Sequence, residues 1–239
     1  MSDFLNTLLY GIYPYIALSV LVVGSIIRYD REPYSWRSGS SQLLRRKQLM
    51  WGSVLFHLGV LMIFLGHFVG LLTPIAVWDF LGVTHQAKQT LAVVAGGVAG
   101  TAAIVGATLL VHRRLFDARV RTQSSNSDRL IIILLWCQLF LGLSTIPVSI
   151  AHIDGHEMVK FMSWAQGIFT FDPAAASHVA DVPLVFKLHL FLGLTILLLF
   201  PFTRLVHMLS APVRYIWRPG YQVVRQRGDG SRANRVAAE

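Results

Sequence analysis

Charged residues are scarce in this chain of 239 residues: Asp, Glu, Lys and Arg make up 14% of it, against about 25% in soluble domains. Cysteine is nearly absent as well, since Cys137 is the only one in the sequence. Low charge excludes an ordinary soluble domain. A single cysteine excludes both a disulfide framework and an iron–sulfur cluster ligated by cysteines of this chain.

Long apolar runs take the place of charge: hydrophobic residues make up 54% of the chain, and its mean hydropathy is +0.55. Each run is close to the roughly 20 residues that cross a bilayer; the runs are 4–27, 49–72, 90–111, 130–150 and 184–208. The first has no basic segment before it and no small-residue cleavage site, so it is interpreted as a retained helix. We predict an all-α integral membrane bundle of five transmembrane helices, a single domain over 1–239 with a cytoplasmic tail from about 209.

Lysine and arginine are unevenly distributed between the two ends of these runs. All but three of the 21 lie in loop 28–48, in loop 112–129 or after residue 203. The exceptions are Lys88, Lys160 and Lys187. Because basic loops stay on the cytoplasmic side, the N-terminus is predicted outside and the C-terminus inside. The net charge of +9 then reflects topology and contact with anionic lipid, and nothing resembles a nucleic-acid-binding module.

Four histidines interrupt the apolar runs, where polar groups are costly and usually functional. His57 and His67 lie on the second run, and His189 and His207 on the fifth. The two helices are antiparallel in the predicted topology, so His57 is level with His207 and His67 with His189. On the fifth helix the 18-residue separation is five full turns, whereas the 10 residues on the second leave the imidazoles about 80° apart. Pro201 offers a bend that would reconcile the two spacings.

Two facing imidazoles are what a six-coordinate b-type haem requires, one nitrogen entering from each side of the macrocycle. A zinc site lacks an acidic residue or cysteine at comparable depth on these helices. A haem-free transporter that relays protons is a second alternative, but the five runs contain no Asp or Glu, and no paired broken helices are evident. Glycines near the histidines either admit a porphyrin or permit close helix packing; they are Gly52, Gly59, Gly66 and Gly193.

Ten short motifs then resemble, in order and spacing, the gamma or cytochrome b subunit of membrane-bound respiratory nitrate reductase. They are "IYPYIA", "RYD", "LFHLGVLMIFLGHFVGLLTP", "AGG", "RRLF", "LGLSTIP", "DGHEM", "WAQ", "FKLHLFLG" and "LLLFPFTRLVHM". The resemblance implies two b-type haems, with His57 and His207 on the inner iron and His67 and His189 on the outer one. It also implies that membrane quinol is oxidised near the outer face and that electrons pass to an iron–sulfur beta subunit and a molybdenum-cofactor alpha subunit, which reduces nitrate to nitrite.

Further site residues follow from the resemblance and from position. Lys88 matches the family lysine associated with the quinol pocket; the alternative is an interfacial lysine that extends to the headgroups. Gly66 and Gly70, beside His67, are candidates for letting the quinone ring approach. Arg204 and Lys187 are candidate partners of haem propionates, although the family pattern leads us to expect arginine at 187; both could instead be topology charges.

Partners and peripheral segments are interpreted in the same way. Loop 28–48 and the basic tail are the candidate docking surface for the iron–sulfur subunit. The outer stretch "GHEMVKFMSWAQGIF" is interpreted as an amphipathic interfacial helix with Trp164 near the headgroups. A di-haem anchor for another quinone-linked oxidoreductase remains an alternative function.

Overall fold

The computed structural model describes residues 2–36 and 44–210, which are helical apart from turns and short connections and contain no strand. The chain divides into two units, Met1–His207 and Met208–Glu239. Only residues 208–210 of the second are described, so nearly all of the predicted tail, and part of loop 28–48, lie outside the described residues. The all-α prediction is confirmed.

Among the residues that the structure describes, five helices are long and apolar enough to cross a membrane. They are α1 (Asp3–Arg31, with a π-helical turn at Leu8–Ile12), α2 (Arg46–Leu72), α4 (His85–Phe116), α6 (Asn126–Ala151) and α8 (Leu184–Leu199). Three shorter helices connect them: α3 (Ile75–Phe80), α5 (Ala118–Thr122) and α7 (His156–Thr170). The first four long helices each contain a predicted apolar run, and the fifth begins where its run begins, at Leu184. The prediction of five membrane helices is therefore confirmed.

The fifth helix ends earlier than predicted. A 3₁₀ turn at Phe200–Phe202 follows α8, Thr203 is extended (φ −122°, ψ 179°), and a second 3₁₀ segment occupies Arg204–Ser210. Pro201 lacks an N–H and its ring clashes with the preceding helical turn, so it ends the helix here instead of bending it. His189 and His207 consequently lie on separate elements, and the prediction that both share one face of a single five-turn helix is wrong.

The long helices pack in the order α2, α4, α6, α8, α1, each against the next. Among the described residues, α2 and α8 do not pack closely against each other. Helix α2, with His57 and His67, and α8, with His189, therefore lie on either side of a space that α4 and α6 border.

Small residues bring α2 and α4 together. A Cβ atom at Gly59 would lie 2.5 Å from the carbonyl oxygen of Ala99, and one at Gly106 would lie 2.3 Å from the backbone nitrogen of Phe56. Gly52 is also buried in this interface, where a Cβ would lie 3.1 Å from Leu109. Gly52 and Gly59 therefore serve close helix packing, the second of the two interpretations given for these glycines, and do not leave room for a porphyrin.

Helix α7 packs across one end of the bundle, the end predicted to face outside. Trp164 is buried and donates from Nε1 to the carbonyl of Tyr10 at 2.8 Å. Gln166 donates to the carbonyls of Leu71 and Thr73, just past the last turn of α2. The predicted helix is present, but Trp164 packs in the protein core instead of facing the lipid headgroups.

Candidate functional site

The structure brings the four membrane histidines together in the two predicted pairs. The ring centroids of His57 and His207 are 6.3 Å apart with planes at 72°, and those of His67 and His189 are 6.2 Å apart with planes at 44°. Two rings that share one metal, with metal–nitrogen bonds of about 2.0 Å and roughly 1.2 Å from nitrogen to ring centre, have centroids about 6.4 Å apart. Each pair thus has the separation at which one metal ion fits between the rings.

Backbone carbonyls orient three of the four imidazoles. Nδ1 of His57 lies 2.7 Å from the carbonyl oxygen of Ser53, and Nδ1 of His67 lies 2.9 Å from that of Ile63. Nδ1 of His207 lies 2.5 Å from the carbonyl oxygen of Arg204. A carbonyl can only accept, so Nδ1 carries the proton in each ring. The lone pair of Nε2 is then available to a metal.

His189 is held differently. Its Nδ1 is buried without a hydrogen-bond partner, and its Nε2 lies 3.4 Å from the side-chain nitrogen of Gln138. That amide donates to the His189 carbonyl at 3.1 Å. Glycines make room for both side chains: a Cβ at Gly142 would lie 3.0 Å from the imidazole, and one at Gly193 would lie 3.1 Å from Gln138. Sequence reasoning missed Gln138, although a lone amide inside the apolar run 130–150 could have indicated it.

The donor set suits a cofactor that brings most of its own ligands. In the part of the chain that the structure describes, no three His, Cys, Asp or Glu side chains are grouped so that they could hold a metal ion. A protein zinc site uses three or four such ligands. A pair of opposed imidazoles instead matches the two axial positions of a haem iron, whose other ligands are porphyrin nitrogens.

Lys88 lies at the outer end of α2, in contact with Gly70. Its Nζ donates to the Gly70 carbonyl at 2.8 Å, lies 2.7 Å from Sδ of Met162, and is 4.5 Å from the centroid of the Trp78 ring. The residue is 6% exposed, so the alternative of a lysine that extends to the headgroups is wrong. Because Gly70 is one turn after His67, Lys88 lies near the outer histidine pair. Gly66 has open space where a Cβ would be.

The two candidate propionate partners have protein partners in the structure. Nζ of Lys187 donates to the carbonyl of Ala180 at 2.6 Å, and Lys187 leaves α8 about 200° around the axis from His189. Nε of Arg204 lies 3.6 Å from Asp128, whose other oxygen is 3.3 Å from Arg114. The link between Arg204 and Asp128 joins the segment that carries His207 to the first turn of α6.

Comparisons with known proteins place almost the whole chain in one family. The family model described as "Nitrate reductase gamma subunit" matches residues 6–227. The respiratory nitrate reductase 1 gamma chain of Escherichia coli (strain K12) is 48% identical over 94% of this chain and 99% of its own length. The nitrate reductase gamma chain of Bacillus subtilis (strain 168) is 41% identical over 92% and 98%. The nitrate reductase-like protein NarX of Mycobacterium tuberculosis (strain ATCC 25618 / H37Rv) is 31% identical over 95% of this chain but only 35% of NarX.

Proposed function

Since the chain belongs to the nitrate reductase gamma subunit family, we propose that it is the quinol-oxidising di-haem b subunit of a respiratory nitrate reductase. In this proposal His57 and His207 are the axial ligands of an inner haem, and His67 and His189 those of an outer haem. The observation that carries it is the presence of two imidazole pairs whose ring centroids are 6.3 and 6.2 Å apart, in a part of the bundle where α2 and α8 do not pack closely against each other.

Two b haems, when bound, supply one-electron transfer between the quinol and the cytoplasmic subunits. The protein's part is to present four imidazoles, three of them in a defined tautomer. The carbonyls of Ser53, Ile63 and Arg204 keep the proton on Nδ1 of three rings, which raises the basicity of Nε2 and fixes the ring orientation.

The quinol is bound at the outer end of α2. Lys88 is the only described cation whose amine lies against Gly70, one turn beyond His67, and a charge-assisted hydrogen bond from its Nζ would hold a quinol or quinone oxygen. Gly66 and Gly70 present backbone without a side chain on this side, so a flat ring can approach. Quinol protons are released to the outside, because this end of the helix is the predicted outer end.

Electrons leave at the inner face, toward an iron–sulfur beta subunit and a molybdenum-cofactor alpha subunit. An electron that moves inward across the whole membrane opposes the membrane potential by about 2.3 kcal/mol per 100 mV, so the acceptor must have a sufficiently higher potential. Nitrate as final acceptor supplies that difference. Loop 28–48 and the tail, much of which lies outside the described residues, are the proposed docking surface.

A reduced-minus-oxidised visible spectrum of the purified protein, with haem quantification, tests this proposal. We expect two b haems per chain. His57→Ala or His207→Ala should remove the inner haem and spare much of the outer one, while His67→Ala or His189→Ala should do the reverse. His112→Ala, whose ring lies against Gln48 and Phe116, is the matched control and should keep both. A wild-type chain without haem would refute the proposal.

A further inference from the structure

The inner end of α1 binds the backbone at the point where the fifth membrane helix breaks. Nη1 of Arg28 donates to the carbonyls of Pro201 and Thr203, at 2.6 and 2.8 Å. The other side of the same guanidinium donates to Ser35, from Nη2 to the carbonyl at 2.9 Å and from Nε to the hydroxyl at 3.1 Å. One side chain thus ties the segment that follows α8 to the turn that follows α1.

These two carbonyls need a partner because no helix continues past them. In an unbroken helix each would accept from an amide four residues further on, but the extended Thr203 interrupts that pattern. At membrane depth an unsatisfied carbonyl is strongly destabilising, so such a break is stable only where the protein supplies donors. Arginine is suited to this, because its planar fork directs several N–H groups at once.

Close to Arg28, helix α1 also packs directly against the segment that follows α8. A Cβ atom at Gly24, one turn before Arg28, would lie 2.8 Å from Cγ of Pro201. Gly24 therefore lets the proline ring lie against α1. The Pro201 ring is fully buried. Val206, in the 3₁₀ segment that follows, is 0% exposed and packs in a cluster with Ile131.

The segment held in this way carries His207. Residues 200–207, here called the ligand segment, contain Pro201 and Thr203 at one end and His207 at the other, whose Nδ1 bonds to the carbonyl of Arg204. Since the α-helical ladder does not reach His207, the direction of its imidazole depends on what holds this segment. Arg28 supplies that hold from α1, and the ion pair of Arg204 with Asp128 links it to α6.

We propose that Arg28 is a positioning residue for His207: its guanidinium fixes the ligand segment in the conformation that turns the imidazole toward His57. The proposal rests on the proposed function, in which this pair binds the inner haem. It assigns to Arg28 a role beyond that of a cytoplasmic charge that orients the chain.

The first test uses the full chain in its native membrane complex. The electron paramagnetic resonance signal of a low-spin haem with two imidazole ligands depends on the angle between their planes, which is 72° for the inner pair. We expect Arg28→Gln to shift the inner signal and midpoint potential, or to remove the inner haem, while the outer signal is unchanged. Arg28→Lys should restore the inner signal only in part, because one ammonium cannot reach Ser35 and both carbonyls. An unchanged inner signal and potential in Arg28→Gln would overturn the proposal.

Arg31→Gln is the matched control, since it removes the same charge one turn further along α1 from a side chain that is 81% exposed and pairs with Asp30. We expect its inner haem signal to match the wild type. If Arg28→Gln fails to accumulate, Arg28→Lys decides: an altered inner signal supports the proposal, whereas a wild-type signal assigns Arg28 to charge alone and overturns it. Equal shifts in Arg31→Gln would also overturn it.

A second test does not depend on haem. In a Cys137→Ser background, Val206→Cys places a thiol at a fully buried position of the ligand segment. In membranes from cells that cannot make haem, we expect Arg28→Gln, but not Arg31→Gln, to increase its labelling by a small maleimide severalfold, because the freed segment opens locally. Unchanged labelling would overturn the positioning role even if the haem proposal is correct. Increased labelling in these membranes, combined with no haem in the wild-type chain from cells that do make haem, would refute the proposed function but support the role of Arg28 in holding the segment.

Discussion

At the scale of single residues, Lys88 shows how a cation is accommodated inside the outer part of the bundle. Its Nζ contacts the Gly70 carbonyl, the sulfur atom of Met162 and the face of the Trp78 ring, none of which carries a full negative charge. A buried cation that lacks a counter-ion is costly, and a ligand oxygen with partial negative charge would lower that cost. This is the physical reason to expect it to bind a quinol oxygen.

We therefore predict that Lys88→Ala keeps both haems and lowers kcat/KM for quinol by about 10- to 100-fold, the equivalent of one charge-assisted hydrogen bond of roughly 1.5–3 kcal/mol. Stopped-flow reduction by a quinol analogue measures this. Lys160→Ala is the control, because its amine lies outside the membrane helices in ion pairs with Glu157 and Asp181. Wild-type quinol kinetics in Lys88→Ala would contradict the assignment.

At the scale of elements, the contact between α2 and α4 depends on backbone meeting backbone. A Cβ at Gly59 would lie 2.5 Å from one backbone atom and 2.7 Å from another, and these atoms cannot rotate away as a side chain can. The interface must separate to admit a methyl group. Because α2 carries two of the four histidines, this separation would also move them.

Gly59→Ala should accordingly lower the free energy of unfolding by about 1–3 kcal/mol, as overpacking does in protein cores. Gly96→Ala is the matched control on α4, where nothing lies within 4 Å of the added Cβ; it should be neutral or stabilising by up to about 1 kcal/mol, because alanine is the better helix former. Unfolding titrations in mixed detergent compare the two. Equal free energies of unfolding for the two variants would contradict the prediction, because they would show that α2 and α4 can move apart at no cost.

Helix α7 is fixed to the outer surface by an ion-pair triad. Lys160 lies 2.9 Å from Asp181 and 3.0 Å from Glu157. The hydrogen bond with Asp181, followed by that with Glu157, raises the pKa of Lys160, and the bond with Lys160 lowers the pKa of Asp181. The triad ties α7, with Met162 and Gln166, to the segment that enters α8.

A pH dependence follows from these directions. The lowered pKa of Asp181 means that its contribution is present above its ordinary pKa of about 3.9 and is lost as the pH falls through the folded value. The raised pKa of Lys160 means that its contribution is complete below about 10.4 and is lost as the pH rises through the folded value. The protection of α7 amides, measured as the ratio of intrinsic to observed hydrogen-exchange rate at each pH, should therefore be greatest between these limits and smaller below pH 4. In Lys160→Gln, the α7 amides should be less protected at neutral pH than in the wild type, and lowering the pH below 4 should change their protection little. Identical pH profiles of protection in the wild type and the variant would contradict this.

At the scale of the whole molecule, charge is segregated between the two membrane faces. Arg119 and Arg121 are exposed within α5, at the predicted inner face, whereas the uncharged Thr170 is exposed at the end of α7, at the predicted outer face. The positive-inside rule then sets the orientation. In the proposed function quinol is oxidised outside and the partner subunits lie inside, so the predicted orientation would make the electron cross the membrane.

In a Cys137→Ser background, we predict that His156→Cys reacts with an impermeant maleimide in intact cells. Thr122→Cys, at the end of α5, should react only after the membrane is permeabilised. Labelling in the opposite order would reverse the orientation and place the quinol site on the cytoplasmic side.

Much of the architecture could be predicted because the bilayer imposes simple rules. Backbone groups in hydrocarbon must pair within a helix, so the five apolar runs predicted the five long helices. Polar residues are rare there, so the levels of the four histidines in the predicted helices were enough to predict the pairs His57–His207 and His67–His189. These inferences need only hydropathy and the 1.5 Å rise per residue.

Only the tertiary structure decided how the site residues are held, because those contacts join segments far apart in sequence. Lys88 is buried by Met162 and Trp78, Gln138 lies against His189, and Arg28 binds the carbonyls beyond Pro201. Sequence alone determined that the chain crosses the membrane five times with two level pairs of imidazoles. The fold decided that the fifth helix ends at Leu199, since a helix can break inside a membrane only where a neighbouring helix supplies the missing hydrogen bonds.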